Sequence, residues 1–257
     1  TTEMFESFLN NTLSLKVVNV DDERIRKISI NDVVTFSIDK NSDYKAENIV
    51  FMPFSSSFTV RGVNFNLSIP GRYNIYNALS AIALLSETGV PLREIACILP
   101  EFSGIERRFD ILLNNDKYLV IDDYAHNPHK IEALLQTVSP LRDKICYIFQ
   151  PHGYSPTKFM LKEYIEVFGA NLRDQDHLIL LPIFYSGGTV KRDVSSHDIA
   201  EGIMKWRKAV EIVSGRESII KRLSHWNNFV IFGARDETLS DFAKEIEVAL
   251  SSRDLST

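Results

Sequence analysis

Three short segments carry the side chains best suited to chemistry. Asp122-Asp123-Tyr124-Ala125-His126-Asn127 places two carboxylates and an imidazole within six residues. Such a set can bind a metal, hold a ribose or orient a base; equally, the aspartates can be solvated and Asn127 a helix cap. Gln150-Pro151-His152-Gly153-Tyr154-Ser155-Pro156-Thr157 offers His152 as an acid, a base or a substrate donor. Its two prolines also fit a rigid turn. Phe184 to Arg192 contains Gly187-Gly188, which can turn backbone N–H groups toward an anion or form a mobile surface loop. Arg107-Arg108 can clamp a phosphate with two-pronged hydrogen bonds or lie solvated. Asn74 and Asn77 share one side of a helix start; each can donate and accept, as base recognition requires, or simply cap.

Other chemistry is missing from the sequence. No G-x-x-G-K-[ST] run is present, so no phosphate loop with its lysine lies in these 257 residues. No G-x-G-x-x-G follows a strand, and no H-E-x-x-H occurs. His126 and His129 lie three apart without a third ligand nearby, so no metal site is expected.

The elements that must position these residues form two regions. In the first, Met4, Phe5, Phe8 and Leu9 predict a helical face, and residues 15–20, 32–38 and 57–69 predict strands, with a tight turn around Gly62 and Asn64. Ile75, Ala78, Leu79, Ile82 and Leu85 then follow helical spacing up to Gly89 and Pro91. A short helix over 92–99 ends at Pro100, and residues 101–107 read as a hinge. Beyond it, strands over 118–121, 145–149, 178–183, 210–213 and 229–232 alternate with helices near 128–138, 158–172, 195–206, 218–223 and 238–250. Ser195 with Asp198, and Thr238 with Asp241, are expected to cap their helices. This alternation predicts an α/β fold with a mostly parallel sheet, whose ligands bind beyond the carboxyl ends of the strands. The expected domains are residues 1–106 and 107–257.

Charge and composition narrow the partners. The count of 29 Lys and Arg against 34 Asp and Glu gives a net charge of −5, which argues against a nucleic-acid surface. No apolar run reaches the ~18 residues of a membrane helix, and no secretory signal is present. Cys97 and Cys146 form no disulfide framework, so a reducing cytoplasm is expected. Thr1 is not a start methionine, so the chain is expected to be a fragment or a trimmed product.

Four segments in order carry a family likeness. Pro70 to Ala78 is similar to P-G-x-H-N-x-x-N-A, Phe102 to Phe109 to F-x-G-x-x-R-R-F, Ile121 to Pro128 to V-D-D-Y-A-H-H-P, and Phe149 to Thr157 to F-Q-P-H-R-Y-S-R-T. Together they resemble the Mur ligases, the last two most closely the alanine-adding members. Val17 to Asp22 and Phe229 to Asp236 extend the likeness more weakly. The resemblance implies the last part of a central P-loop-type ATPase domain, with mixed strands and helices, followed by a Rossmann-like C-terminal domain. The phosphate loop and the magnesium-binding residues are then expected upstream of Thr1, and the chain alone is expected to be inactive.

The implied activity is ATP-dependent amide bond formation in peptidoglycan precursor synthesis. A UDP-N-acetylmuramate-type carboxylate is activated as an acyl phosphate and attacked by an amino acid's amine, with ATP and Mg²⁺ required. By matched position, Asn74, Asn77, Arg108 and Asp123 are implied on the nucleotide, Arg108 and His126 in catalysis, and His126, His152, Gly153 and Lys158 toward substrate. Gly153 and Pro156 stand where the resemblance expects arginines suited to the acceptor's carboxylate. Lys158 is the remaining point charge there. Tyr73 replaces the usual His, and Arg235 stands where a small residue is common. Two rival readings follow: a Mur-like ligase with another substrate, such as one that recycles murein peptides, and a non-catalytic module that binds a nucleotide or peptide. A metal hydrolase built on Asp123, His126 and His152 is a third.

Overall fold

The computed structural model describes residues 2–254. They form two compact units that divide between Ser103 and Gly104. The division falls slightly before the expected 106/107 boundary. Ile105 already bridges Arg108, and Arg107 is anchored within the second unit.

The first unit runs α1 (Thr2–Asn10), β1 (Val17–Asn19), α2 (Glu23–Arg26), β2 (Val34–Ser37), β3 (Tyr44–Lys45), β4 (Glu47–Met52), β5 (Ser55–Val60), β6 (Val63–Leu67), α3 (Arg72–Glu87) and α4 (Leu92–Ile98). β1, β2 and β3 make a parallel sheet, and β4, β5 and β6 an antiparallel one. β5 alternates in burial along its length, which sends Phe58 and Val60 into a core with Phe65, Leu67 and the Ile75, Leu79 and Ile82 stripe of α3. The hairpin turn falls on Arg61 and Gly62, both left-handed at φ 47° and 77°, the geometry that a two-residue turn between twisted strands favours. Asn64 is instead paired with Thr59 inside the ladder.

β3 and β4 had no sequence signal. β4 is exposed along nearly its whole length, so it shows none of the alternation that marks a half-buried strand. The predicted face of α1 buries only Leu9; Met4, Phe5 and Phe8 stay exposed. Asp21 follows β1 and organises the chain ends around it. Its carboxylate accepts the N–H groups of Ile38, Asp39 and Lys40 and the hydroxyl of Tyr76.

The second unit runs β7 (Asp110–Asn114), β8 (Leu119–Asp123), α5 (Pro128–Val138), β9 (Cys146–Gln150), α6 (Tyr154–Phe159), α7 (Leu161–Asn171), β10 (His177–Leu180), α8 (Ser196–Met204), β11 (Val210–Ile212), α9 (Glu217–Ile220), β12 (Asn228–Gly233) and α10 (Thr238–Asp254). The sheet order is β11-β10-β9-β12-β8-β7, parallel except for β7. β8, β9 and β12 are buried at every residue, as continuous apolar strands of a sheet covered on both faces should be. The chain moves outward from β9 to β11 and returns to insert β12 between β9 and β8. The carboxyl ends of β8, β12 and β9 therefore lie side by side.

Phe149 and Phe232 stack at 5.0 Å beneath those ends, and Phe149 also meets Tyr164 and Phe168 at 5.5 Å. Truncating one such ring to alanine costs about 3–5 kcal/mol.

Three expectations shift. β7 is an antiparallel edge strand only partly buried along its length, although Ile111, Leu112 and Leu113 are apolar. The helix expected over 158–172 begins at Tyr154 and breaks at Met160. Ser195 and Asp198 form the capping box. The last helix is capped by Asp236, whose Oδ1 accepts the N–H and hydroxyl of Thr238, and not by Thr238 with Asp241. No helix among the described residues is long and apolar enough to cross a membrane.

Candidate active site

The loops leaving β8, β9 and β12 bring most of the predicted residues of the second unit together. β8 ends in Asp122 and Asp123, which its apolar run carries inside. Asp123 accepts the N–H of Phe109 through Oδ2 at 2.7 Å and the N–H of Ala125 through Oδ1 at 2.6 Å. Burial pushes its carboxyl up to about 6, while those two donors pull the other way. Both oxygens are thus engaged by main chain, and one of them holds Phe109 in a left-handed conformation at φ 54°. The arrangement of Asp123, His126 and His152 as metal ligands is not formed. Among the described residues no group of three or more His, Cys, Asp or Glu could hold a metal ion.

The arginine pair divides its work. Arg107 is nearly buried. It donates from Nη2 to the carbonyl of Gly233 at 2.9 Å and from Nη1 to that of Asp236 at 3.2 Å, and its Nε lies 3.4 Å from Asp122 Oδ2. Its guanidinium also covers the Tyr124 ring at 5.1 Å. Burial raises the Asp122 carboxyl while Arg107 opposes the rise. Arg107 is therefore a clamp between the start of the second unit and the loop after β12. Arg108 is exposed and has no carboxylate partner among the described residues. Its positive charge acts on both Asp123 and His126.

The two predicted histidines meet edge to face. The rings of His126 and His152 lie 5.3 Å apart at 75°, and Tyr124 contacts His126 at 5.4 Å. His126 Nδ1 donates to the carbonyl of Tyr124 at 2.8 Å, which leaves the lone pair on Nε2. Burial lowers both imidazoles, and nearby cations lower them further: Lys130, Arg235 and Arg108 for His126, and Arg235 for His152. Both rings are therefore neutral at neutral pH. His152 Nδ1 is buried without a hydrogen-bond partner.

Gly153 opens α6 with φ 68°, a left-handed backbone in which a Cβ would lie 3.2 Å from Pro156. The shape of this turn fits glycine, and it projects no side chain toward the histidines. Lys158 lies apart from them. Its ammonium pairs with Asp193 at 2.6 Å, tying the 184–194 loop to α6. The same loop lays Arg192 over Tyr185 at 5.0 Å and Tyr154 at 5.6 Å.

One residue of this region escaped sequence reading. Arg216, after β11, donates to Asp236 Oδ2 at 2.6 Å and to Gln150 Oε1 at 3.0 Å. A cleft of about 490 Å³ opens there, lined in part by Gln150, Tyr154, Tyr185, Arg192, Arg216 and Asp236. The one available signal was position: Arg216 lies between the end of a parallel strand and the start of the next helix. Gly233 marks a close approach of two strand ends. A Cβ there would lie 2.6 Å from the carbonyl of Gln150, so only glycine lets β12 end beside β9.

In the first unit, Asn74 and Asn77 stand together on the first turns of α3, which Gly71 opens at φ 99°. Asn74 is buried and donates to the carbonyl of Pro70 at 2.7 Å; exposed Asn77 donates to Asn74 Oδ1 at 3.4 Å. The helix orders one carboxamide through its own start and presents the other outward.

Neutral imidazoles beside exposed guanidiniums can hold an anion next to a base. That combination suits transfer reactions in which charge develops on oxygen. Comparison with known proteins gives the arrangement a context. Residues 107–246 match the family described as "Mur ligase, glutamate ligase domain", and residues 2–85 match "Mur ligase middle domain". The UDP-N-acetylmuramate–L-alanine ligase of Caldanaerobacter subterraneus subsp. tengcongensis is 36% identical over 199 residues, covering 75% of this chain and 42% of that protein. The enzyme of the same name from a Hydrogenobaculum species is 31% identical over 89% of this chain and 52% of its own length. Among solved structures, the UDP-N-acetylmuramate–alanine ligase of Thermotoga maritima superposes with a TM-score of 0.73 at 27% identity, covering 99% of this chain and 54% of that one. The chain spans about half the length of the curated relatives it matches.

Proposed function

The chain belongs to the Mur ligase family, and from that premise we propose that it serves an ATP-dependent ligase that joins an amino acid to a UDP-N-acetylmuramate-type carboxylate in peptidoglycan precursor synthesis. The observation that carries this reading is the pair of neutral, edge-packed imidazoles His126 and His152 with unpaired Arg108 beside them, all at the carboxyl ends of parallel strands.

In this reaction the carboxylate takes the terminal phosphoryl group of ATP. The amine then attacks the acyl carbon, and phosphate leaves with the bonding pair of the C–O bond while the nitrogen loses a proton. Arg108 offsets charge on the phosphoryl oxygens. His126 presents Nε2 to the attacking amine and accepts its proton. His152 and Gly153 line the substrate side, and Lys158 holds the neighbouring loop through Asp193. Asn74 and Asn77 address the nucleotide base. Asp123 serves the nucleotide side by fixing the main chain at Phe109 and Ala125. Mg²⁺ would neutralise charge on the nucleotide's phosphates. ATP, a UDP-sugar precursor and an amino acid are the partners, with no nucleic acid or membrane, and the setting is cytoplasmic.

A second reading keeps the chemistry and changes the acceptor or the carboxylate, as in murein peptide recycling. The uncharged loop at Gly153 and Pro156 favours it. The test is phosphate release from Mg-ATP and UDP-N-acetylmuramate with a panel of amino acids, with a phosphate-loop region supplied and products identified by mass. An alanine adduct supports the first reading and an adduct of another amino acid the second. Bound nucleotide without any phosphate release refutes both and leaves the binding module. Without a phosphate loop, the 257 residues alone are expected to show no ATP turnover.

A further inference from the structure

The loop after β12 carries a residue whose conformation and position its own fold does not require. Arg235 has φ 72°, left-handed backbone that residues with a Cβ adopt only uncommonly. Other left-handed arginines have local reasons. Arg61 closes a hairpin, Arg207 follows the end of α8, and Arg107 is held by its buried clamp. Arg235 does none of these. Its neighbours are fixed independently of it: Arg107 holds the carbonyls of Gly233 and Asp236, and Arg216 and Thr238 hold the Asp236 side chain. Glycine would satisfy the same turn without strain. The guanidinium is exposed and has no carboxylate partner among the described residues. Its backbone N–H donates to the Tyr124 hydroxyl at 3.3 Å, and the Tyr124 ring packs against His126, which packs against His152. The loop that carries His152, residues 150–157, contains no Lys, Arg, Asp or Glu.

We propose that Arg235 is the residue that binds the carboxylate of the acceptor amino acid, reaching the histidine pair from the β12 side. A guanidinium matches a carboxylate with two parallel N–H···O bonds. The identity of this anion rests on the ligase reading; the placement of the cation does not.

The test is a titration of the full chain, following the imidazole NMR signals of His126 and His152. The probes are the twenty amino acids, the carboxamide of each, and inorganic phosphate. At least one amino acid is expected to shift both signals, and its carboxamide to bind roughly tenfold more weakly, the cost of losing a charged hydrogen-bond pair. Arg235→Gly is expected to weaken that amino acid roughly tenfold, Arg235→Lys to restore part of the loss, and phosphate affinity to hold in both. Arg235→Gly should also melt at a higher temperature, because it relieves the backbone; that shows the variant is folded. The proposal is overturned if no amino acid shifts either signal, if Arg235→Gly leaves amino-acid affinity unchanged, or if phosphate weakens as much as the amino acid. Because the titration needs no turnover, amino-acid binding here, with no phosphate release in the assay that supplies a phosphate-loop region, would reject the ligase reading alone.

Discussion

The loop after β9, which carries His152, and the loop after β12 solve the same geometric problem with opposite chemistry. Each needs a left-handed residue near its start, at φ 68° in one and 72° in the other. The β9 loop uses Gly153, which the fold readily accepts and which contributes no charge. The β12 loop uses Arg235, which the backbone accepts at a cost and which brings a cation. The backbone shape of a loop and the charge it delivers are thus separable. A cation at the site can be supplied from whichever strand end the scaffold holds rigid enough to carry it.

Removing what holds the β12 loop should erase the contrast most completely. Arg107→Ala strips Asp122 of its ion pair at a fully buried carboxylate and frees the carbonyls of Gly233 and Asp236. A loss of about 3–5 kcal/mol is expected in chemical denaturation; a loss under about 1 kcal/mol would show that water replaces the clamp. Gly233→Ala presses a methyl group onto the Gln150 carbonyl, where the contact would be 2.6 Å. It should cost about 1–3 kcal/mol and disturb both loops at once, read as shifts of both histidine signals. A change confined to the β12 side would mean the two strand ends are not coupled.

The next effect is one of pH. The folded pKa of Asp123 is raised from 3.8 to about 6, so the folded state holds this proton more tightly than the unfolded state does. Its contribution to stability is full below about pH 4 and is lost as pH rises through about 6. His126 and His152 are lowered and act in the opposite sense, costing stability as pH falls below their ordinary 6.5. A carboxyl-carbon NMR titration should place the Asp123 midpoint near 6; a midpoint near 4 would mean that the carboxylate is solvated. The smallest effect belongs to Lys158→Ala. Its exposed pair with Asp193 should contribute little to stability, and the histidine signals should not move.

Much of this was legible because the second unit obeys period and position. Continuous apolar strands separated by capped helices announce a parallel sheet, and such a sheet says where to look for ligands. Asp123, His126, His152 and Gly153 were found that way, and the structure brings them together. What resisted reading has physical causes. β4 is an edge strand exposed along nearly its whole length, so no alternation marks it, and the three apolar residues of edge strand β7, Ile111, Leu112 and Leu113, make too short a run to stand out. Arg107 and Arg108 are adjacent and chemically identical; only the fold decides that one is buried beside Asp122 and the other faces water. Lys158 reads as a free cation until Asp193, distant in sequence, arrives to neutralise it. Arg216 binds Asp236 and Gln150 through contacts that no local motif encodes.

The unequal burial of the arginines has a consequence for the medium in which the protein works. Arg107 meets its partners away from solvent, where dissolved ions hardly reach. Arg108 and Arg235 are exposed, within range of a counterion cloud about 8 Å deep at physiological ionic strength. Added salt should therefore weaken the grip of these two on an anion, and slow its capture, while the loops keep their shape. The scaffold is insulated from its surroundings; the affinity it supports is not.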